Sequence, residues 1–376
     1  MIRINIYDKY GKSFWRSSLF NWYPLWLNNS KLRKRKIEIC YYSNFSEKIF
    51  DCDIVCLSSI HLRTKEIRAN QLDFVKSVRD KAKKVIWFDF HDSSGCASFE
   101  LLPYVDKYLK KQLLVNKDLY RQSHILDRYD AEYFYQKYKT KDSLWSQQQY
   151  EQLPRLEKKY EHKLGLNWNI GMYPIRGGAT LSVPYLFSII SELSEKVFNT
   201  PHFLVKKNPI SNRDIDMLAL FGIGYRLQTI AFQRKMGIEI IKNKCKGNIL
   251  CGPSRLSRNS YWKALRNSKI VLSLFGWGEI CFREMEGFLS GAAILMPDMS
   301  HIETWPNYYI PNQTYVPIKW DLEDLAETYE KLISDNSWRE NIAVKGFANY
   351  CSFWNDEGQN AFLNRFEHEI NQIVSS

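Results

Sequence analysis

Residues 269–305 read KIVLSLFGWGEICFREMEGFLSGAAILMPDMSHIETW, and their order decides the fold. The apolar run Lys269–Phe275 predicts a buried strand, Gly276 and Gly278 a tight loop, Cys281–Ser290 a helix, and Ile294–Met296 a second buried strand. Gly291 follows the helix as its C′ residue. Strand, glycine loop, helix and strand form the unit of a doubly wound parallel sheet, which binds ligands at the carboxyl ends of its strands. Gly276 and Gly278 allow close approach of backbone to a ligand. The free N–H groups and positive dipole end of the helix that follows suit a phosphate. Glu286, deeper on that helix, offers a carboxylate to ribose hydroxyls. A blander reading pairs Glu279 with Arg283, four residues on, across a helix surface.

The pattern extends in both directions. In the first half, Ile2–Tyr7, Ile37–Tyr42, Asp53–Ser58, Lys84–Phe90 and Lys107–Leu109 read as strands. Between them, Ile67, Leu72, Val75 and Val78 recur at helical spacing within Ile67–Lys83. Leu119–Lys163 turns polar and rich in Tyr, Gln and Lys, as a helical excursion followed by a linker. A second α/β pattern begins near Leu166, with strands expected at Phe203–Lys207, Gly247–Gly252 and Tyr315–Pro317. Helices fit Pro184–Val197, Tyr261–Asn267 and Leu322–Ser334, and Trp338–Ser376 carries Phe347, Phe353, Phe362 and Phe366 on further helices. The expected fold class is α/β, with two Rossmann-like doubly wound domains facing a cleft. Residues 1–165 form one domain, 166–345 a second, and 346–376 helices that pack back across both.

Residues 286–291, EGFLSG, resemble the E-A-x-x-x-G stretch of nucleotide-sugar glycosyltransferases with the two-domain GT-B fold. The wider string, FGWGE through PDMSH to TWP, is similar to bacterial glycosyltransferases of the O-antigen and capsule type. The resemblance implies a metal-independent Leloir transferase without cofactor, in which the nucleotide sugar is a substrate and Glu286 holds the ribose. It also implies a saccharide or lipid-diphosphate-linked acceptor, with residues 1–165 as the acceptor domain and 166–345 as the nucleotide-sugar donor domain. The common retaining group has a second Glu eight positions before the ribose Glu, where this chain has Gly278, and Glu279 is the nearest acid. Inverting and retaining chemistry both stay open.

Other residues are assigned around that frame. Lys+Arg 53 against Asp+Glu 41 give a net charge of +12, which favours anionic partners. A leaving diphosphate needs cations, and Lys206, Lys207, Arg226, Arg234, Arg255, Arg258 and Arg283 are placed for it. With Gly276, Trp277, Gly278 and Glu279 they outline a donor site. Asp298, His301 and Thr304 should line the donor sugar or phosphate wall, while Trp305 and Trp277 either stack or pack, packing being the ordinary role. On the acceptor side, Asp8, His91 and Asp92 end strands and are the candidate general bases. Their blander roles are a turn for Asp8 and a helix cap for Asp92. Asp51-Cys-Asp53 is read as a strand entrance and not a metal site.

Residues 12–36 combine Phe14, Trp15, Phe20, Trp22, Tyr23 and Trp26 with Lys31, Arg33, Lys34, Arg35 and Lys36, which suits an anionic membrane face. No apolar run approaches the ~20 residues of a membrane span, and the eight scattered Cys read as buried reduced thiols. A cytoplasmic protein, peripheral to the inner membrane face, is expected. Rival readings are a basic nucleic-acid-binding protein, an inactive scaffold of the same fold, and a nucleotide-sugar epimerase. No RNA-platform or groove-entering motif supports the first, and no nucleic acid partner is expected. G-x-G-x-x-G after the first strand and a Walker-type loop are both missing, which argues against a dinucleotide oxidoreductase and a P-loop enzyme.

Overall fold

The computed structural model describes residues 1–7, 15–42, 44–59, 65–122, 128–140, 155–172, 212–225 and 228–375. Asp8, Lys206, Arg226, the strand expected at Phe203–Lys207 and the helix at Pro184–Val197 lie outside the described residues, as do residues 12–14 of the aromatic stretch. The first half contains β1 (Ile2–Tyr7), α1 (Trp15–Leu27), α2 (Asn29–Lys34), β2 (Ile37–Tyr42), β3 (Ile54–Ser58), α3 (Lys65–Arg79) and β4 (Lys84–Asp89). It continues through β5 (Lys107–Lys110), β6 (Gln112–Leu114), α4 (Tyr129–Tyr138) and β7 (Leu164–Leu166). The second half contains β8 (Ile215–Leu220), α5 (Gln228–Lys244), β9 (Ile249–Gly252), α6 (Arg258–Arg266), β10 (Ser268–Leu272) and α7 (Phe282–Ser290). After these come β11 (Ala293–Pro297), β12 (Ile302–Thr304), β13 (Val316–Ile318), α8 (Leu325–Ser334), α9 (Asn336–Ser352) and α10 (Asp356–Ser375).

Two parallel-sheet α/β domains result. The N-terminal sheet runs β2-β1-β3-β4-β5-β7 and the C-terminal sheet β13-β11-β10-β8-β9. Every pairing within both sheets is parallel. The apolar runs have this cause: β3, β4 and β11 are buried along most or all of their length, as strands covered on both faces must be. Gly291 ends α7 with φ 68°, the left-handed conformation that a β-carbon disfavours.

Two parts of the expectation change. GYRLQTIAFQRK, read as a basic phosphate flank, runs into α5, with Ile230, Ala231, Gln233 and Arg234 buried. The aromatic stretch before the basic cluster is partly core: Trp22 is fully buried, with its ring 4.8 Å from Phe88 and 5.2 Å from Phe90.

The halves exchange elements. α10 lays Phe362, Leu363, Phe366, Ile370 and Ile373 on the face of the N-terminal sheet made by Ile4, Ile6, Ile39, Ile86 and Phe88. In return α4 packs on the C-terminal half, with Phe134 5.4 Å from Phe232 of α5 and Tyr133 donating to Asp321 at 3.1 Å. A short antiparallel ladder between β6 and β12 joins the halves, Leu114 opposite Ile302 and Gln112 opposite Thr304.

Candidate functional site

The carboxyl ends of the two sheets meet at two loops. From the N-terminal side, β4 delivers Asp89 and then His91, Asp92, Ser93 and Ser94. Asp89 is fully buried and receives four hydrogen bonds: from the His91 N–H at 2.9 Å, Tyr108 Oη at 2.7 Å, Lys110 Nζ at 3.1 Å, and His91 Nδ1 at 2.6 Å with that nitrogen protonated. Burial pushes the Asp89 carboxyl up, but Lys110, His91 and Tyr108 outweigh it and hold it below the usual carboxylate range. The carboxylate therefore orients the imidazole, as general-base histidines require. Asp89 was not singled out from sequence, although its spacing two residues before His91 on a strand end places both on one side. Asp92 lies half-exposed beside Lys111 Nζ, 3.0 Å away.

On the C-terminal side, Glu286, Arg283, Tyr261 and Arg258 form a cluster beside the ends of β8 and β10, where Arg283 meets Phe221 and Ser273. Tyr261 of α6 donates to Glu286 Oε2 at 2.7 Å. Burial raises the Glu286 carboxyl, against the opposing pull of Tyr261, Arg283 and Arg258. Arg283 donates to Ser273 Oγ at 3.2 Å and stands over the Phe221 ring at 5.2 Å. It has no ion pair with Glu279, so the expected helix-surface pair is absent. Arg255 and Arg258 are exposed beside the end of β9. This cluster offers a carboxylate for hydroxyls and cations for phosphates beside one set of strand ends. Tyr261 and Phe221 escaped sequence reading because neither residue type carries a positional signal there.

The N-terminus of α7 is already occupied. Glu284 folds back so that Cys281 N–H donates to its Oε2 at 2.5 Å, and Ser273 Oγ donates to its Oε1. Burial pushes this carboxyl up to about 7.

Several expected donor residues serve the joint between the halves. Gly278 faces the Asp92 backbone so closely that a β-carbon would lie 1.6 Å from its carbonyl oxygen. Glu279 is 1% exposed and accepts from Ser94 N–H at 3.0 Å and Ser94 Oγ at 2.5 Å. Thr304 donates to the Lys111 carbonyl at 3.0 Å beside the β6–β12 ladder, and Asn169 Nδ2 donates to Thr304 Oγ1 at 2.9 Å. His301 stacks on Tyr129 at 5.7 Å, with Nε2 3.8 Å from Glu279. Arg234 is buried; it donates to the carbonyls of Phe275 at 2.7 Å and Gly222 at 3.0 Å and to Tyr225 Oη at 2.7 Å. Arg128, not picked out from sequence, donates to the Gly276 carbonyl at 2.9 Å. Asp298 accepts from Tyr315 Oη at 3.3 Å and is partly buried. Trp305 packs on Phe362 at 6.1 Å, whereas Trp277 is 52% exposed, so the ordinary packing role fails for Trp277.

No family model and no curated protein matches this chain. It is similar to solved structures. One is an alpha-glucosyltransferase in complex with UDP, 12% identical, covering 100% of both chains with a TM-score of 0.43. Another is HepE of Anabaena in complex with UDP-glucose, at 9% identity, 98% and 100% coverage and a TM-score of 0.45. A third is a putative UDP-N-acetylglucosamine 2-epimerase from Listeria monocytogenes, at 12%, 98% and 97%, and 0.40.

Proposed function

We propose that this chain transfers a sugar from a nucleotide-sugar donor to a hydroxyl of a saccharide or lipid-linked saccharide. The observation that carries the reading is the pairing of two strand-end sites. The Glu286–Arg283 cluster offers the groups a nucleoside diphosphate needs, and the Asp89-oriented His91 stands on the opposing strand end, in the loop whose backbone touches Gly278. Glu286 binds a ribose hydroxyl, and Arg283 with Arg258 balances the charge that grows on the leaving diphosphate. His91 takes the acceptor proton through Nε2 as the new glycosidic bond forms, and its charge is balanced by Asp89. Neither step calls on a metal.

Membrane and pathway assignments belong to the same proposal. Arg33, Lys34 and Lys36 are exposed on and after α2 and suit an anionic lipid surface. Arg35 is instead engaged by Glu367 at 2.8 Å. A role in bacterial surface-polysaccharide assembly, on the cytoplasmic side, rests on the resemblance over about residues 270–320.

The test is a thermal-shift screen with UDP, GDP, dTDP, CMP and their sugars, beside Glu286→Ala. A ligand at a hundred times its dissociation constant stabilises by about 2.7 kcal/mol. One nucleotide family should raise the wild-type midpoint and leave the variant unmoved. Free nucleotide should then appear only with acceptor present, which separates transfer from epimerisation. No shift with any nucleotide would overturn the reading.

A further inference from the structure

The loops that meet at the joint are fastened at more than one point. Gly278 lies against the backbone of Asp92 and Ser93, where a β-carbon would sit 1.6 Å from the Asp92 oxygen and 2.8 Å from the Ser93 nitrogen. One residue later, Glu279 leaves the C-terminal half and buries its carboxylate under Ser94. Both donors of Ser94 point at it, the N–H at 3.0 Å to Oε2 and the hydroxyl at 2.5 Å to Oε1. Ser94 is itself pinned, since Tyr120 Oη donates to its carbonyl at 2.8 Å and accepts from Leu114 N–H at 2.8 Å. Behind Glu279 stand His301, with Nε2 at 3.8 Å, and Arg128, which grips the carbonyl of Gly276. Asp130, 3.6 Å from Arg128, completes the buried charges at this joint.

His91 therefore sits between two fixed points. Asp89 holds it from the strand, and Ser94 holds the far end of its loop through a residue of the other half. The carboxylate accepts from both Ser94 donors. An amide would keep the backbone bond through its oxygen but reverse the hydroxyl bond, its N–H donating to Ser94 Oγ, and it would remove the negative charge that makes both bonds charge-assisted.

We propose, on the reading given above, that Glu279 is a positioning residue for the transfer: it locks the His91–Ser94 loop of the acceptor side onto the Gly276–Glu279 loop of the donor side. The base is thereby set in place by the donor domain. Its role differs from lining the donor pocket, and the two are separable by experiment.

The test compares the full-length wild type with Glu279→Gln and Ser94→Ala. For each, the dissociation constant of the nucleotide that binds wild type is measured by calorimetry, and kcat and donor KM from acceptor-dependent nucleotide release. Glu279→Gln should lower kcat by roughly 10- to 100-fold, the worth of a charge-assisted hydrogen bond, with the nucleotide dissociation constant and donor KM within twofold. Glu279→Asp, which keeps the charge, should recover part of the loss. Wild-type kcat in Glu279→Gln overturns the proposal. A weakened nucleotide with unchanged kcat also overturns it and returns Glu279 to the donor pocket. Should Glu279→Gln not fold, Ser94→Ala removes only the hydroxyl donor and must show the same split, less steeply; an unchanged kcat there overturns the proposal too. If wild type neither binds nor releases nucleotide, the transferase reading falls. The lock is then read alone by amide hydrogen exchange at Ser94, slow in wild type and fast in Glu279→Gln; equal rates would refute it.

Discussion

Tyr261 shows how much of the site depends on single hydrogen bonds. Its hydroxyl occupies one oxygen of Glu286 and fixes the carboxylate plane, so Tyr261→Phe should weaken nucleotide binding by roughly tenfold, the cost of one hydrogen bond to a charged group. Calorimetry would measure that loss, and turnover at saturating donor should stay near wild type. His91→Ala should behave oppositely, losing roughly 10²–10⁴ in kcat as removal of a general base does, with nucleotide affinity kept. At this scale the sequence was partly legible. Glu286 and His91 stood out because a carboxylate on the helix after a glycine loop and an imidazole at a strand end each imply a chemistry. Tyr261 and Ser94 were invisible, because what they do depends on a partner 25 and 185 residues away in the chain, whereas Asp89 carried a local signal, two residues before His91, that went unused. Gly278 and Thr304 were legible as special but not for their reason, which is contact between the halves.

Elements were readable where burial leaves an unbroken apolar run. β1 and β2 match their expected ranges, and β4 and β11 lie within a residue of theirs. β8 was missed, although it lies between β10 and β9, because Asp216 interrupts IDMLAL. That charge is tolerated because Asp216 pairs with Lys269 Nζ at 2.6 Å near the strand's start. α5 hid its face because Gln233 and Arg234 are buried beside its apolar residues. The three-residue strands β6 and β12 have no periodicity to read, since their partner is supplied only by the fold. α7 allows a prediction at this scale. Glu284, which closes its first turn, is raised by burial from 4.5 to about 7. Between those pH values the unfolded chain has released this proton and the folded chain keeps it, so stability falls as pH rises through the window and levels off above it. By the usual conversion this contribution is on the order of 3 kcal/mol. Urea midpoints from pH 4.5 to 8 should show that slope in wild type and a flatter one in Glu284→Gln.

The whole molecule is held together by traffic between its halves. Deleting the ring of Phe366 beneath the N-terminal sheet should cost about 3–5 kcal/mol, as large core truncations do. Because α10, α4 and the β6–β12 ladder all cross between the halves, Phe366→Ala should lower one shared melting transition and not split it in two, as calorimetry would show. Gly278→Ala drives a methyl into the Asp92 carbonyl and should destabilise by roughly 1–3 kcal/mol through overpacking; an unchanged urea midpoint would refute the packing reason given for that glycine.

The exchange of α10 also bears on how the protein is made. A ribosome delivers β1 through β5 early, at about 5–20 residues per second. The sheet face built by Ile4, Ile6, Ile39 and Phe88 takes part of its cover from Trp22, Leu25 and Leu32 of α1 and α2, and the rest only when residues 356–375 emerge. For most of translation the nascent N-terminal domain thus presents a partly covered apolar surface, with its second layer still unsynthesised. Chains stalled before Phe362 should be held by chaperones or cleared by proteases, and a complete N-terminal domain should appear only as synthesis reaches α10.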